Sequence, residues 1–458
     1  MNKLLKPAIW LLIIATATHP SYVKPEETEQ REIANELQIQ DRIMNDSPAS
    51  EQQINSLAVI SLAIIAERFS QRNLWLEIKK LPGQRILPDD PSYYYSTESE
   101  KRQGLEWRIG AGIEWAARTL VEGWTIPDLE VSREPTTTEG RKRRLNYDKL
   151  DEYRASAGLH WHRFIKIGHI LNNYPDRALH LAFQFFDKNP DVPLLLVYSD
   201  HYGNLGNGQR KFSDTTQSVA VLAFARRDRV EWLRYFAPYT RKPDGTAYPQ
   251  FWKWRSTPPK PFTPTRFFPE PWTTEQLAMF DQLPDLAIVH RPILVSYRKD
   301  DGAPQSPPVL MKERERQAAF AEGWARALAL LPHDERGEIP PVALPQRVFY
   351  DYGAGPKAYN FVPATLALMH NPAFPELPLA DPAFGINLWT ALGDPGANMP
   401  MLGWSIAAMA TSIERNTSVV LNLRDDDHAV ITVIEPPAVK PAEPSMFDGW
   451  DPFGTQLR

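Results

Sequence analysis

Apolar positions along this chain recur with two periods, and together these predict alternating strands and helices. From Leu57 to Ala66 every residue but Ser61 is apolar, as in a strand buried on both faces. A membrane helix is the competing reading, but the run is too short to span and Glu67-Arg68 follow at once. Gly104 to Trp124 reads as a helix, with Trp107, Trp115 and Leu120 among its apolar positions. Leu179, Phe183 and Phe186 give helical spacing to Arg177–Lys188; Asn189-Pro190-Asp191 ends it, and Val192 to Tyr198 reads as a buried strand. Ser218 to Ala225 is a further strand, followed by a helix-like Arg229 to Phe236.

The later part of the chain is more regular. Ala287 to Tyr297 is strand-like around Pro292. Lys312 to Leu331 is an amphipathic helix with Phe320, Trp324, Leu328 and Leu331 on one face; Pro307-Pro308 precede it and Pro332 ends it. Arg347 to Tyr352 predicts a strand and Phe361 to His370 a helix. Gly385 to Leu392 is a strand-like approach to the turn Gly393-Asp394-Pro395-Gly396, and a long apolar helix then runs to about Ile413. Val419 to Leu423 and Ala429 to Ile434 form a hairpin around Asp425-Asp426-Asp427-His428. Strands alternating with helices indicate an α/β architecture.

Two segments break the pattern. Between Tyr248 and Trp272, seven prolines alternate with Phe251, Trp252, Trp254, Phe262, Phe267, Phe268 and Trp272, so this stretch is neither a helix nor a central strand. It should run extended and join two halves. Large rings mostly bury against their own protein, yet they are also the usual hot spots of interfaces. Trp252, Trp254, Phe267, Phe268 and Trp272 are therefore the candidate partner-binding residues. At the N-terminus, Lys3 and Lys6 precede an apolar run from Ala8 to Ala17, and Ala15-Thr16-Ala17 has the small-x-small form of a signal-peptidase site. Cleaved signal, uncleaved tether over residues 4–23 and soluble start all remain open; the first leads to the periplasm, the others to the cytoplasm. The expected organisation is a signal-like or tether segment at 1–25, a polar linker at 26–53 and an N-terminal α/β domain at 54–247. A Pro/aromatic connection at 248–272, a C-terminal α/β domain at 273–437 and a tail at 438–458 complete it.

Composition removes whole classes of function. A net charge of -5 over 458 residues argues against a broad nucleic-acid surface, and the basic run Glu139 to Arg144 reads as a solvated loop. The absence of cysteine excludes disulfides, thiolate metal sites, thiol nucleophiles and a lipoprotein anchor.

The remaining chemical motifs are weak. Gly403-Trp404-Ser405-Ile406-Ala407 approaches a nucleophile elbow, but Ser405 falls inside the apolar helix and alanine replaces the last glycine. His160, His162, His169 and His180 have no acidic ligand at a useful spacing and read as structural or surface residues. Gly203, Gly206 and Gly208 lack the Gly-Lys-Ser/Thr of a phosphate loop. Asp425, Asp426 and Asp427 are expected to point to water at a hairpin tip. No catalytic residue, cofactor or metal site is assigned.

From Ala287 to Pro437 the order of elements resembles the C-terminal half of thiolase-type condensing enzymes. That family places histidines in Ala-His-Gly and Gly-His-Thr-x-Gly; here the two positions read Asp351-Tyr352-Gly353 and Gly393-Asp394-Pro395-Gly396. The resemblance implies two related α/β halves in a thiolase-like arrangement without the catalytic residues, the nucleophilic cysteine included.

A second resemblance covers most of the chain. The strings Phe183-x-Phe185-Phe186-Asp187-x-Asn189-Pro190-Asp191-Val192-Pro193 and Ala225-Arg226-Arg227-Asp228-Arg229-Val230-Glu231-Trp232-Leu233 resemble the type VI lipase adapter family. Phe262-Thr263-Pro264-Thr265 leading to Pro271-Trp272 is similar to it as well. So are His290-Arg291-Pro292, Glu315-Arg316-Gln317-Ala318-Ala319 and Gly323-Trp324. This resemblance implies a non-enzymatic adaptor of a Gram-negative bacterium that binds a phospholipase effector and loads it onto a VgrG-type spike of the type VI secretion system. The alternatives are a hydrolase using Ser405, an acyl transferase with an unrecognised nucleophile, and an envelope protein that binds a lipase.

Overall fold

The computed structural model describes residues 53–87, 98–117, 128–132, 166–170, 175–189, 192–201, 216–237, 272–299, 309–353, 361–369 and 379–438. All fall in the second of the chain's two compact units, Pro48–Arg458.

The first half opens with β1 (Ser56–Ala66), whose residues after Ser56 are all buried. One face of β1 meets α2 (Glu98–Ala117), where Ser61 Oγ donates to the carbonyl of Ala116 at 2.6 Å. The continuous apolar run thus reflects cover on both sides, since a long helix of the second half also packs on this strand. Between them come β2 (Phe69–Ser70) and α1 (Gln71–Lys80). There follow β3 (Asp128–Ser132), β4 (Lys166–Ile170), a 3-10 turn at Pro175–Arg177, α3 (Ala178–Lys188), β5 (Leu194–His201), β6 (Ser218–Ala225) and α4 (Arg227–Arg234). A helix absent from the sequence expectation, α5 (Thr274–Asp281), starts on a capping box between Thr273 and Gln276. Its Leu277 and Phe280 enter the core of the first half beside Trp272.

The second half begins with β7 (Ala287–His290) and β8 (Ile293–Ser296), one strand divided at Arg291-Pro292, where proline lacks the donor to continue a ladder. It continues through α6 (Glu313–Leu328), β9 (Arg347–Asp351), α7 (Phe361–Met369) and β10 (Gly385–Asn387). The strand-like reading of Gly385 to Leu392 needs correction. Asn387 accepts a hydrogen bond from the Thr390 N–H at 3.1 Å and caps a short helix, α8 (Leu388–Leu392). A 3-10 turn at Gly396–Asn398 leads to α9 (Met399–Glu414), buried from Met399 through Ser412, and β11 (Ser418–Asn422) and β12 (His428–Glu435) close the half.

All these strands join one mixed sheet in the order β10-β9-β11-β12-β7-β1-β6-β5-β3-β4, with β8 beside β12 and β2 beside β1. That order contains a repeat. Numbering strands within each half from its own start, with β7 and β8 as one strand and β2 set aside, both read 3-2-4-5-1. In both, strand 2 runs parallel to strands 3 and 4, and strand 5 runs antiparallel to strands 4 and 1. The two first strands pair antiparallel at the centre, Ser56 opposite His290 and Val59 opposite Ala287. The fold is therefore a duplication, although the two halves show no clear repeat in sequence. α9 packs against β1, β6, β7, β11 and β12 and so shares its buried surface between the halves.

Candidate functional site

Parallel strands of an α/β sheet bring side chains together beyond their carboxyl ends. Here the ends of β5 and β9, the turn before α9, the β11–β12 hairpin and the 3-10 turn before α3 carry charged and polar side chains that pair across the fold. Asp351, the last residue of β9, is 1% exposed. It accepts a hydrogen bond from the Gly353 N–H at 3.0 Å and one from Nε of Arg424. Arg424 also reaches Asp394 at 3.1 Å through Nη1 and lies over the ring of Trp389. Burial alone would lower its pKa, but the two carboxylates outweigh that and hold it above the ordinary arginine value.

Asp394 is held on the backbone as well. Its Oδ1 accepts from the Gly396 N–H at 3.0 Å, and its carbonyl accepts from the Thr216 N–H of the first half at 3.0 Å. Gly396 has φ +56°, and a Cβ there would overlap the ring of His201, so glycine lets the end of β5 sit directly on this turn.

The hairpin supplies the second ionic group. His428 is 2% exposed and lies between carboxylates: Nδ1 is 2.6 Å from Asp427 and Nε2 is 2.8 Å from Asp176, with Asp425 at 3.9 Å. Arg298 braces Asp427 from outside. Burial would lower the His428 pKa, yet the hydrogen bonds it donates to Asp176 and Asp427 raise it above the usual histidine value. Asp427 shows the reverse balance: burial raises it, and His428 and Arg298 bring it below the usual carboxylate range. Asp200 has the Tyr198 hydroxyl at 2.9 Å; removal from water nonetheless pushes its pKa up to about 6.

The carboxylates of this region are paired with arginine or histidine. What these contacts do mechanically is join the halves: Asp176, His201 and Thr216 belong to the first, Asp394, Gly396 and His428 to the second. The one set of ligand-type side chains converging among the described residues is Asp176, Asp425 and His428, whose donor atoms lie within 4.8 Å of one another.

Asp427, expected to point to water, instead pairs with His428, because the tip folds back on the 3-10 turn before α3. Ser405 is fully buried in the middle of α9, with none of the exposed strand-to-helix geometry of an elbow. His180 pairs with Gln184 at 3.0 Å on α3, its pKa lowered first by burial and then by Arg291 and Arg177. His169 lies in β4. The residues His160, His162, Gly203, Gly206, Gly208, Trp252, Trp254, Phe267 and Phe268, with the segments 1–25 and 139–144, lie outside the described residues. Trp272 is 3% exposed and packs on Phe280, so its ring is committed to the core of the first half. No described helix is long and apolar enough to cross a membrane.

Several uncommon strings of the sequence prove to be joints. Asp187 receives both Nη2 contacts of Arg291, at 2.7 and 2.9 Å, and Arg291 lies over Phe183, tying α3 to the β7–β8 break. Arg227 pairs with Asp285 at 2.7 Å and covers Phe280. Arg316 donates to the Met311 carbonyl at 3.0 Å and covers Tyr297.

The duplicated mixed sheet, with charged side chains paired at its strand ends, defines an α/β protein built of two like halves. Its N-terminal and C-terminal regions, residues 55–222 and 286–436, match the models described as type VI lipase adapter protein Tla3, N-terminal and C-terminal. The chain belongs to this type VI lipase adapter family. It is also similar to a ketosynthase from module 6 of the bacillaene synthase of Bacillus subtilis 168, at 10% identity and a TM-score of 0.47, over 84% of this chain and 71% of that one. Xanthomonas campestris OleA, solved with lauric acid and lauroyl-CoA, is similar at 8% identity and a TM-score of 0.40, over 84% of this chain and 100% of that one.

Proposed function

We propose that this chain is a non-enzymatic adapter that binds a type VI lipase effector and loads it onto a VgrG-type spike. The observation that carries the reading is the match of both halves to the adapter family. Two further observations support it. The whole chain lacks cysteine, and the ionised groups at the strand ends are spent on one another. Recognition then falls to surface, and the aromatic–proline segment, with Trp252, Trp254, Phe267 and Phe268, is the proposed contact region; Trp272 anchors its end. A stable complex of this kind buries at least about 1,000 Å² in total. Loading before secretion places the chain in the cytoplasm.

The test is affinity capture with the full chain as bait in lysate of its native bacterium, followed by mass spectrometry. Recovery of a lipase together with a spike protein is the expected result. Failure to recover a lipase with a folded bait would overturn the reading. Trp252→Ala with Trp254→Ala should weaken capture without unfolding the chain; unchanged capture would move the interface elsewhere.

A further inference from the structure

We propose that Asp176, Asp425 and Nε2 of His428 bind one divalent transition-metal ion, which bridges the turn before α3 and the β11–β12 hairpin. Their donor atoms already converge within 4.8 Å, the spacing from which a single ion can collect them.

The orientation of the histidine is the first support. Nδ1 faces Asp427 at 2.6 Å, so when the ring gives up its Nε2 proton the other stays there and the Nε2 lone pair is turned toward Asp176 and Asp425. A carboxylate behind the imidazole is the usual outer partner of a metal-bound histidine, and Arg298 fixes that carboxylate in turn.

Asp176 supplies an independent one. Its side chain is 6% exposed, and while Oδ2 faces His428, Oδ1 is buried with no hydrogen-bond partner among the described residues. An acceptor removed from water with no donor is costly to keep. A cation seated between the carboxylates and the imidazole satisfies it.

Charge and ligand type select the ion. Two carboxylates and a neutral imidazole match a dication, and a nitrogen ligand favours Zn²⁺ over Mg²⁺, Ca²⁺ and Mn²⁺, which prefer oxygen shells. Binding breaks the Nε2–H···Oδ2 hydrogen bond, forms the metal–nitrogen bond, and releases one proton to solvent per ion. Asp425, with its side chain 31% exposed, gives the route of approach. Sequence spacing could not show this set, because Asp176 and His428 stand 252 residues apart.

The experiment uses the full chain without a histidine tag, stripped with chelator and titrated with Zn²⁺ by calorimetry in two buffers of different ionisation enthalpy. One saturable site is expected, with one proton released. A rise in Tm of about 3 °C is expected with the ion at one hundred times its Kd. Asp425→Asn, which keeps the side-chain size at a partly exposed position, should weaken binding at least about tenfold. His428→Gln should abolish it; if that variant does not fold, Asp425→Asn alone decides. No saturable binding, or binding that Asp425→Asn changes by less than twofold, overturns the proposal.

Discussion

Arg424→Met is the sharpest probe of the strand-end cluster. Arg424 is the counter-charge of two carboxylates: Asp351, whose side chain is 1% exposed, and Asp394, at 19%. Methionine retains an apolar stem against Gly353 and Trp389 but no charge. Asp351 then keeps the N–H of Gly353 at 3.0 Å and loses its cation. Removing one partner of a buried pair costs about 3–5 kcal/mol. Arg424 is itself 27% exposed, so entering water offsets part of this and the expectation is about 3 kcal/mol. Asp351→Asn in the Arg424→Met background removes the stranded charge and should recover about 1–2 kcal/mol. Urea unfolding of wild type, both single variants and the double variant at pH 7.5, followed by tryptophan fluorescence, measures the cycle. A loss below about 1 kcal/mol for Arg424→Met would refute the reasoning, as would strict additivity of the two substitutions.

Asp200→Asn tests the carboxyl whose pKa burial raises to about 6. Between its ordinary value and 6 the native state binds this proton more tightly, so wild type loses about 3 kcal/mol as pH rises through that window. The variant should therefore be the more stable at pH 7.5, and equal stability there would contradict the assignment. For His428 the folded pKa is also raised, but here the charged form is favoured. Its contribution is full below the unfolded value of about 6.5 and is lost as pH rises through the folded one. His428→Gln, measured in chelator, should cost more at pH 6 than at pH 9. Gly323→Ala drives a methyl into Val295 and should destabilise by about 1–3 kcal/mol, with Val295→Ala partly restoring stability in chemical denaturation.

The sequence by itself determined the elements whose burial is uniform or strictly periodic. The unbroken run that became β1, the apolar α9 and the face of α6 bearing Phe320 and Trp324 were legible, because a strand or helix covered by protein excludes polar residues. The capping box at Thr273 and Gln276 was equally local, and α5 could have been read from it. Family membership also lay in the sequence, in strings such as Phe183 to Asp187 and His290 to Pro292. Much of their peculiarity is the local half of a joint: Asp187 is unusual because Arg291 needs it.

Only the tertiary structure decided the rest. The repeat of the two halves resides in strand order and sense, which persist while side chains diverge, so hydrophobic pattern alone did not show it. Of the strand-like Gly385 to Leu392, only Gly385–Asn387 is strand, and Leu388–Leu392 became a capped helix because Asn387 found the Thr390 N–H. The aspartates of the hairpin looked solvent-bound because three adjacent carboxylates stand at its tip. Asp427 meets Arg298, and His428 meets Asp176, only after the sheet has assembled. Charge burial depends on partners distant in sequence, and folding is what supplies them.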